Sequence, residues 1–134
     1  MNTPLNFKQI ILAGVISAGV ATVINVILFF IFHSAGIFTD SIMVKPNQPL
    51  TAMAIVIASI MPSLVGACVF FPFEKYGKNG IKTFSIVSIV LLILSLVNPF
   101  MGIPNVTVPY AVALDVMHVV VAVSLLFFLR RAKK

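Results

Sequence analysis

The sequence predicts an all-α, polytopic membrane protein, a single domain over residues 1–134 built as an antiparallel bundle of four transmembrane helices. Three observations lead there. Hydrophobic residues make up 60% of the chain and charged residues 9%, whereas about a quarter of a soluble domain is charged. Four apolar runs, each close to the roughly 20 residues a bilayer core requires, divide the 134 residues and leave no room for an extramembrane domain. The basic residues then alternate with these runs in a way that only an even number of crossings explains.

The first span is expected over 10–32, after a short polar lead with Lys8. A basic start before an apolar run also describes a secretory signal, but a signal core is about 7 to 15 residues, so an uncleaved anchor is the better reading. Cleavage near Ala35 would leave the remaining topology unchanged. Gly14, Ala18, Ala21 and Asn25 recur at spacings of four, three and four, which gathers small side chains and one amide on a face suited to close helix contact.

Residues 33–49 form the longest connection, restricted by Pro46 and Pro49 to extended or turn conformations. The second span, 50–73, has Thr51 to assist its first turn and Pro62 near its middle, where a kink is expected. Proline leaves a carbonyl one turn earlier without its donor, and Ser59, Ser63 and Gly66 share a face that can serve it. Residues 74–82, Glu-Lys-Tyr-Gly-Lys-Asn-Gly-Ile-Lys, make a charged, glycine-containing turn. The third span, 82–101, carries Ser85, Ser88 and Ser95 and frays at Asn98-Pro99. After a turn over 102–108, Pro109 suits the first turn of the fourth span, 109–129.

With four alternating spans, Lys8, Lys75, Lys78, Lys82, Arg130, Arg131, Lys133 and Lys134 fall on one side, and Lys45 alone on the other. Basic residues beside spans favour the cytoplasmic face, so both termini are expected there. Three or five spans would split this pattern. The +6 net charge accordingly points to anionic headgroups rather than nucleic acid, and the tail 130–134 reads as a topology anchor. Tyr76 and Tyr110 fall at opposite interfaces, where amphipathic rings commonly sit.

Depth brings the polar residues together. At about 1.5 Å per residue, Asp115 lies roughly 9 Å and His118 roughly 13 Å below the outer end of the fourth span, with Asn25 and Ser95 near 10 Å and Ser59 near 13 Å. Five polar side chains therefore share one outer-half layer. In the fourth span Ala111, Asp115, His118 and Ala122 occupy one face, which matches the small-residue face of the first and would set Asp115 beside Asn25.

Ionisable residues at this depth commonly mark ion paths, proton relays or ligand sites, and the three-residue spacing lets Asp115 and His118 exchange a hydrogen bond and couple their protonation. The other reading is packing: a neutral or paired Asp115 bonded to Asn25 joins two helices for on the order of 1 kcal/mol. Even with His33, which lies at the end of the first span, these residues make a weak metal site, since zinc normally takes three or four protein ligands; no metal or cofactor is expected. Cys68 is the only cysteine, which excludes an intramolecular disulfide or thiolate cluster. No zincin His-Glu-x-x-His and no glycine-rich phosphate loop occurs, so no catalytic residue is expected and the chain does not read as an enzyme. Asn105-Val106-Thr107 matches the glycosylation sequon, a short pattern that carries meaning only in a glycosylating pathway.

Pro49-Leu50-Thr51, Leu94-Ser95-Leu96 and Met117-His118 resemble the motifs of a family of small four-span bacterial membrane proteins with no assigned function. The resemblance covers nearly the whole chain. It implies the four-span fold and a bacterial inner membrane, and it implies no activity. His118 fits the Met-His pattern, whereas Asp115 has no counterpart in it. Two functions follow from the sequence: transport or small-ligand binding through the outer-half layer, in an oligomer or an outward vestibule, or an accessory subunit whose small-residue faces pack against a larger membrane partner.

Overall fold

The computed structural model describes residues 3–45 and 48–133. Four helical segments are long and apolar enough to cross a bilayer: α1 Phe7–Ser34, α2 Ala52–Tyr76, α3 Gly80–Ser95 with its continuation α4 Asn98–Gly102, and α5 Val108–Ala132. The connection from α1 to α2 contains a short antiparallel pairing of β1 Met43–Lys45 with β2 Gln48–Pro49. Pro46 and Lys134, read above as part of a turn and of an anchor, lie outside the described residues.

Local chemistry sets where each helix begins. Asn6 Oδ1 accepts the Gln9 N–H at 2.8 Å and Gln9 Oε1 accepts the Asn6 N–H at 3.0 Å, a reciprocal capping box. That box starts α1 at Phe7, inside the segment the sequence reading left as a polar lead. Thr51 accepts from Ala54 N–H at 3.2 Å and Thr107 from Tyr110 N–H at 3.3 Å, so each hydroxyl caps the helix that follows. Asn105 adopts φ 59° just before α5, a left-handed conformation that asparagine tolerates better than most residues. The third span breaks after Ser95 because Pro99 can neither donate to the Ser95 carbonyl nor keep its ring clear of it.

α1 is the centre of the packing. It lies along α2 and α5, while α3 stands on the opposite side of those two helices. The predicted small-residue face of α1 is buried, but it meets α2 as well as α5: a Cβ on Gly14 would come within 2.6 Å of Ala67 Cβ. α2 answers with its own stripe of Ile55, Ser59, Ser63, Ala67, Phe70 and Glu74. Small side chains on both surfaces let the backbones approach, which is how helices associate where lipid removes the hydrophobic incentive.

Two apolar clusters close the ends of this three-helix core. At the basic end, where the termini and the α2–α3 turn gather, Ile10, Ala67, Phe70, Phe84 and Leu129 pack together. At the far end Phe38, from the α1–α2 connection, inserts between Phe29 and Tyr110 with ring centroids 5.8 and 4.9 Å away. Tyr110, in the first turn of α5, is therefore completely buried beneath the connection, whereas Tyr76, at the basic end, is exposed.

α3 packs closely through its first turns, and the span returns to α5 only at α4, where Pro99 is buried. The buried residues of α3 are Gly80, Phe84 and Ser85, and Phe84 meets Phe70 and Phe73 edge-on at 5.1 and 5.7 Å. From Ile86 onward its side chains are exposed or half-buried. The gap this leaves between α3 and the core defines the site.

Candidate intramembrane cleft

A cleft of about 560 Å³ runs between α2, α3 and α5, within the size range of small-molecule sites. Four of the five residues of the expected polar layer line it: Asn25, Ser59, Ser95 and His118. Ala58, Pro62 and Ser88 add to the wall, and toward the basic end the lining turns apolar through Val69, Phe84, Leu125 and Leu126. The site is thus polar toward the far end and hydrocarbon toward the other.

Asn25 forms its floor. The side chain is almost wholly buried, and its Nδ2 donates to Ser59 Oγ at 3.0 Å and to the Met117 carbonyl at 3.3 Å. Ser59 Oγ itself donates to the Ile55 carbonyl at 2.8 Å, so it must accept from Asn25, and the Met117 carbonyl can only accept. The orientation of the amide is fixed by these partners. Both amide protons are committed, and Asn25 Oδ1 is buried without a partner among the described residues.

The partner of Asn25 on α5 is thus Met117, where the sequence reading placed Asp115. Two helical residues span about 200°, so once Met117 faces α1, Asp115 is turned away. Asp115 is half-buried, does not line the cleft, and has Oδ1 buried without a partner among the described residues. The expected Asp115–His118 hydrogen bond is not formed either. His118 Nδ1 lies 2.7 Å from the Leu114 carbonyl, which can only accept, so Nδ1 carries a proton there and a neutral ring keeps its Nε2 lone pair free. Of the four small-face residues of α5, Ala111 is buried while Ala122 and His118 line the cleft.

The hydroxyls near Pro62 also act differently from the expectation. Ser63 Oγ donates to the Ser59 carbonyl and Ser59 to that of Ile55, each at 2.8 Å, so neither serves the Ala58 carbonyl that Pro62 deprives of its donor. α2 continues through Pro62 to Tyr76. Ser95 Oγ donates to the Leu92 carbonyl at 2.7 Å and retains only acceptor capacity. His33, considered above as a distant ligand, instead approaches Asp40 at 3.4 Å in the far-end connection.

A second polar cluster escaped the sequence reading. Glu74, read as part of a solvated turn, is buried at the end of α2. It accepts the Leu5 N–H at 3.0 Å and pairs with Lys133, which ties the entrance to α1 and the end of α5 to α2. Its signal was present: Glu74 continues the stripe of Ala67 and Phe70 at helical spacing. Beside it Arg130 reaches Ser85 Oγ at 3.5 Å, and Lys75 lies over the Phe71 and Tyr76 rings.

A model described as a family of unknown function, DUF6069, matches residues 6–134. The chain belongs to this family. Comparison with curated proteins and with solved structures gives no match. The architecture of this DUF6069 member is that of a small multi-pass membrane protein, and any activity must be argued from its cleft.

Proposed function

We propose that this DUF6069 member has a binding rather than a catalytic role, holding a small ligand of the membrane phase in the cleft between α2, α3 and α5. The observation that carries this reading is a cavity of about 560 Å³ that collects Asn25, Ser59, Ser95 and His118 in one wall-lining set with hydrocarbon beyond them. Asn25 and Ser59 do join helices, and His118 and Ser95 border the open space. Release of the ligand toward either side of the bilayer would make the same site a carrier. The eight-to-one distribution of basic residues supports a cytoplasmic basic end against anionic headgroups, and the family resemblance supports a bacterial inner membrane.

The chain contains no tryptophan, so one introduced residue reports on its own surroundings. Leu92→Trp places the fluorophore in the cleft wall and Leu94→Trp on the exposed side of α3. Titration with a brominated single-chain lipid in phosphatidylcholine nanodiscs is expected to quench the first saturably and the second in simple proportion to lipid content. Proportional quenching at both positions would overturn the binding reading.

One observation favours an accessory subunit as the second reading. Ile93, Leu94 and Met101 are strongly exposed on the third span, an apolar surface that a second copy or a larger membrane partner would cover.

A further inference from the structure

We infer that the ligand is an uncharged single-chain amphiphile whose head group donates hydrogen bonds, seated with its head between Ser95 and His118 and its chain running toward Phe84. This rests on the binding reading above and specifies its chemistry. The polar part of the cleft offers acceptors almost exclusively. Asn25 offers the cleft no donor, since both protons of its Nδ2 are committed. His118 has its Nδ1 on Leu114 and presents Nε2. The Ser59 and Ser95 hydroxyl protons go to carbonyls of their own helices, and Ala58 has a carbonyl without its helical donor because residue 62 is proline. A ligand that complements this set must bring donors.

Charge narrows the class further. Among the described residues no Asp, Glu, Lys or Arg lines the cleft. An anionic phosphate or carboxylate head would face lone pairs, and an ammonium head would lose its hydration without a counter-ion in the wall, a penalty of several kcal/mol for a buried ion. Hydroxyl groups supply donors at neither cost. From Ser95 to Phe84 the cleft follows α3 for about 16 Å at 1.5 Å per residue, and its walls toward Phe84 are hydrocarbon. That gradient suits one chain below one polar head. Because α3 is exposed or half-buried from Ile86 to Ser95, between its packed first turns and the contact of α4 with α5, the ligand enters sideways, from the bilayer.

The test uses the full chain in phosphatidylcholine nanodiscs and photoactivatable lipids that share one diazirine-bearing chain but carry a glycerol, phosphate, primary-ammonium or trimethylammonium head. Cross-links are mapped by mass spectrometry over a range of probe concentrations. The glycerol-headed probe is expected to label the cleft wall at Leu91, Val121 and Leu125 saturably, at about fivefold lower concentration than the others, the discrimination of one net hydrogen bond. His118→Phe should remove that advantage and His118→Gln, which restores an acceptor, should return it. Equal saturable labelling by every head, or preference for a charged head, overturns the inferred class and leaves the binding reading standing. Absence of saturable labelling at the cleft by any probe overturns both.

Discussion

The Asn25 amide nitrogen lies 3.0 Å from Ser59 Oγ, and with its second proton on the Met117 carbonyl a single side chain of α1 joins α2 and α5. The geometry predicts an order of damage. Asn25→Ala removes both bonds and is expected to cost about 1–3 kcal/mol. Ser59→Ala removes one and should cost about 1 kcal/mol or less. Asn25→Asp should be the worst, because a buried carboxylate cannot donate to the Met117 carbonyl and must either lose its charge or face an acceptor. Reversible unfolding of the three variants in mixed micelles checks the order, which fails if Asn25→Asp is as stable as Asn25→Ala.

Glu74 and Lys133 supply the corresponding tie at the basic end. Lys133→Met leaves a nearly fully buried carboxylate with only the Leu5 N–H. Because Lys133 is itself partly exposed, the expected loss lies at or below about 3 kcal/mol, the lower end for breaking a buried pair. Adding Glu74→Gln removes the stranded charge and keeps an acceptor for Leu5, so the double variant should be more stable than Lys133→Met alone. Strict additivity in this cycle would show that the two side chains do not interact.

The four spans were legible because hydropathy and basic-residue placement need no knowledge of packing. Helix starts at Thr51 and Thr107-Pro109 were legible or half-legible for the same local reason. What hydropathy cannot give is the direction a helix faces: in a bilayer, lipid-facing and core-facing positions are equally apolar, and the usual helical period fades. Only small and polar residues leave a trace, which is why the α1 stripe ending at Asn25 was readable. The same trace misled on α5, where Asp115 suggested the facing side and Met117 occupies it. The open stretch along the middle of α3 left no signal, since Leu91, which borders the cleft, and Leu94, which does not, read alike in the sequence. Counting depth put Asn25 level with Ser59, and the two are bonded, but the cleft that they line with Ser95 and His118 could not be read.

Two glycines separate contact from clearance. A Cβ on Gly14 would meet Ala67 Cβ at 2.6 Å, where only backbone movement gives relief, whereas one on Gly66 would meet the tip of Leu125 at 2.5 Å. Leu125 borders the cleft and has space to rotate. Gly14→Ala should therefore destabilise the bundle by about 1–3 kcal/mol, while in Gly66→Ala the roughly 1 kcal/mol gain in helix propensity offsets the repacking. Equal losses in the two variants would place the close α1–α2 approach elsewhere.

Phe38 tests whether the α1–α2 connection is part of the fold. Its ring is almost wholly buried and contacts Phe29, Phe32 and Tyr110 with centroids 4.9–5.8 Å apart, which is core packing supplied by a loop. Phe38→Ala is expected to cost about 3 kcal/mol, the lower end for truncating a buried phenylalanine, and to release the segment over 35–43 around that ring. Limited proteolysis should then cut this segment in the variant under conditions where the parent chain stays intact, and Phe38→Leu, which refills much of the volume, should recover resistance. The Leu92→Trp quenching described above should survive Phe38→Ala, because Phe38 seals the α1–α2–α5 core and the cleft lies on its other side. Resistance unchanged in Phe38→Ala would mean that the connection is held by the β1–β2 pairing alone.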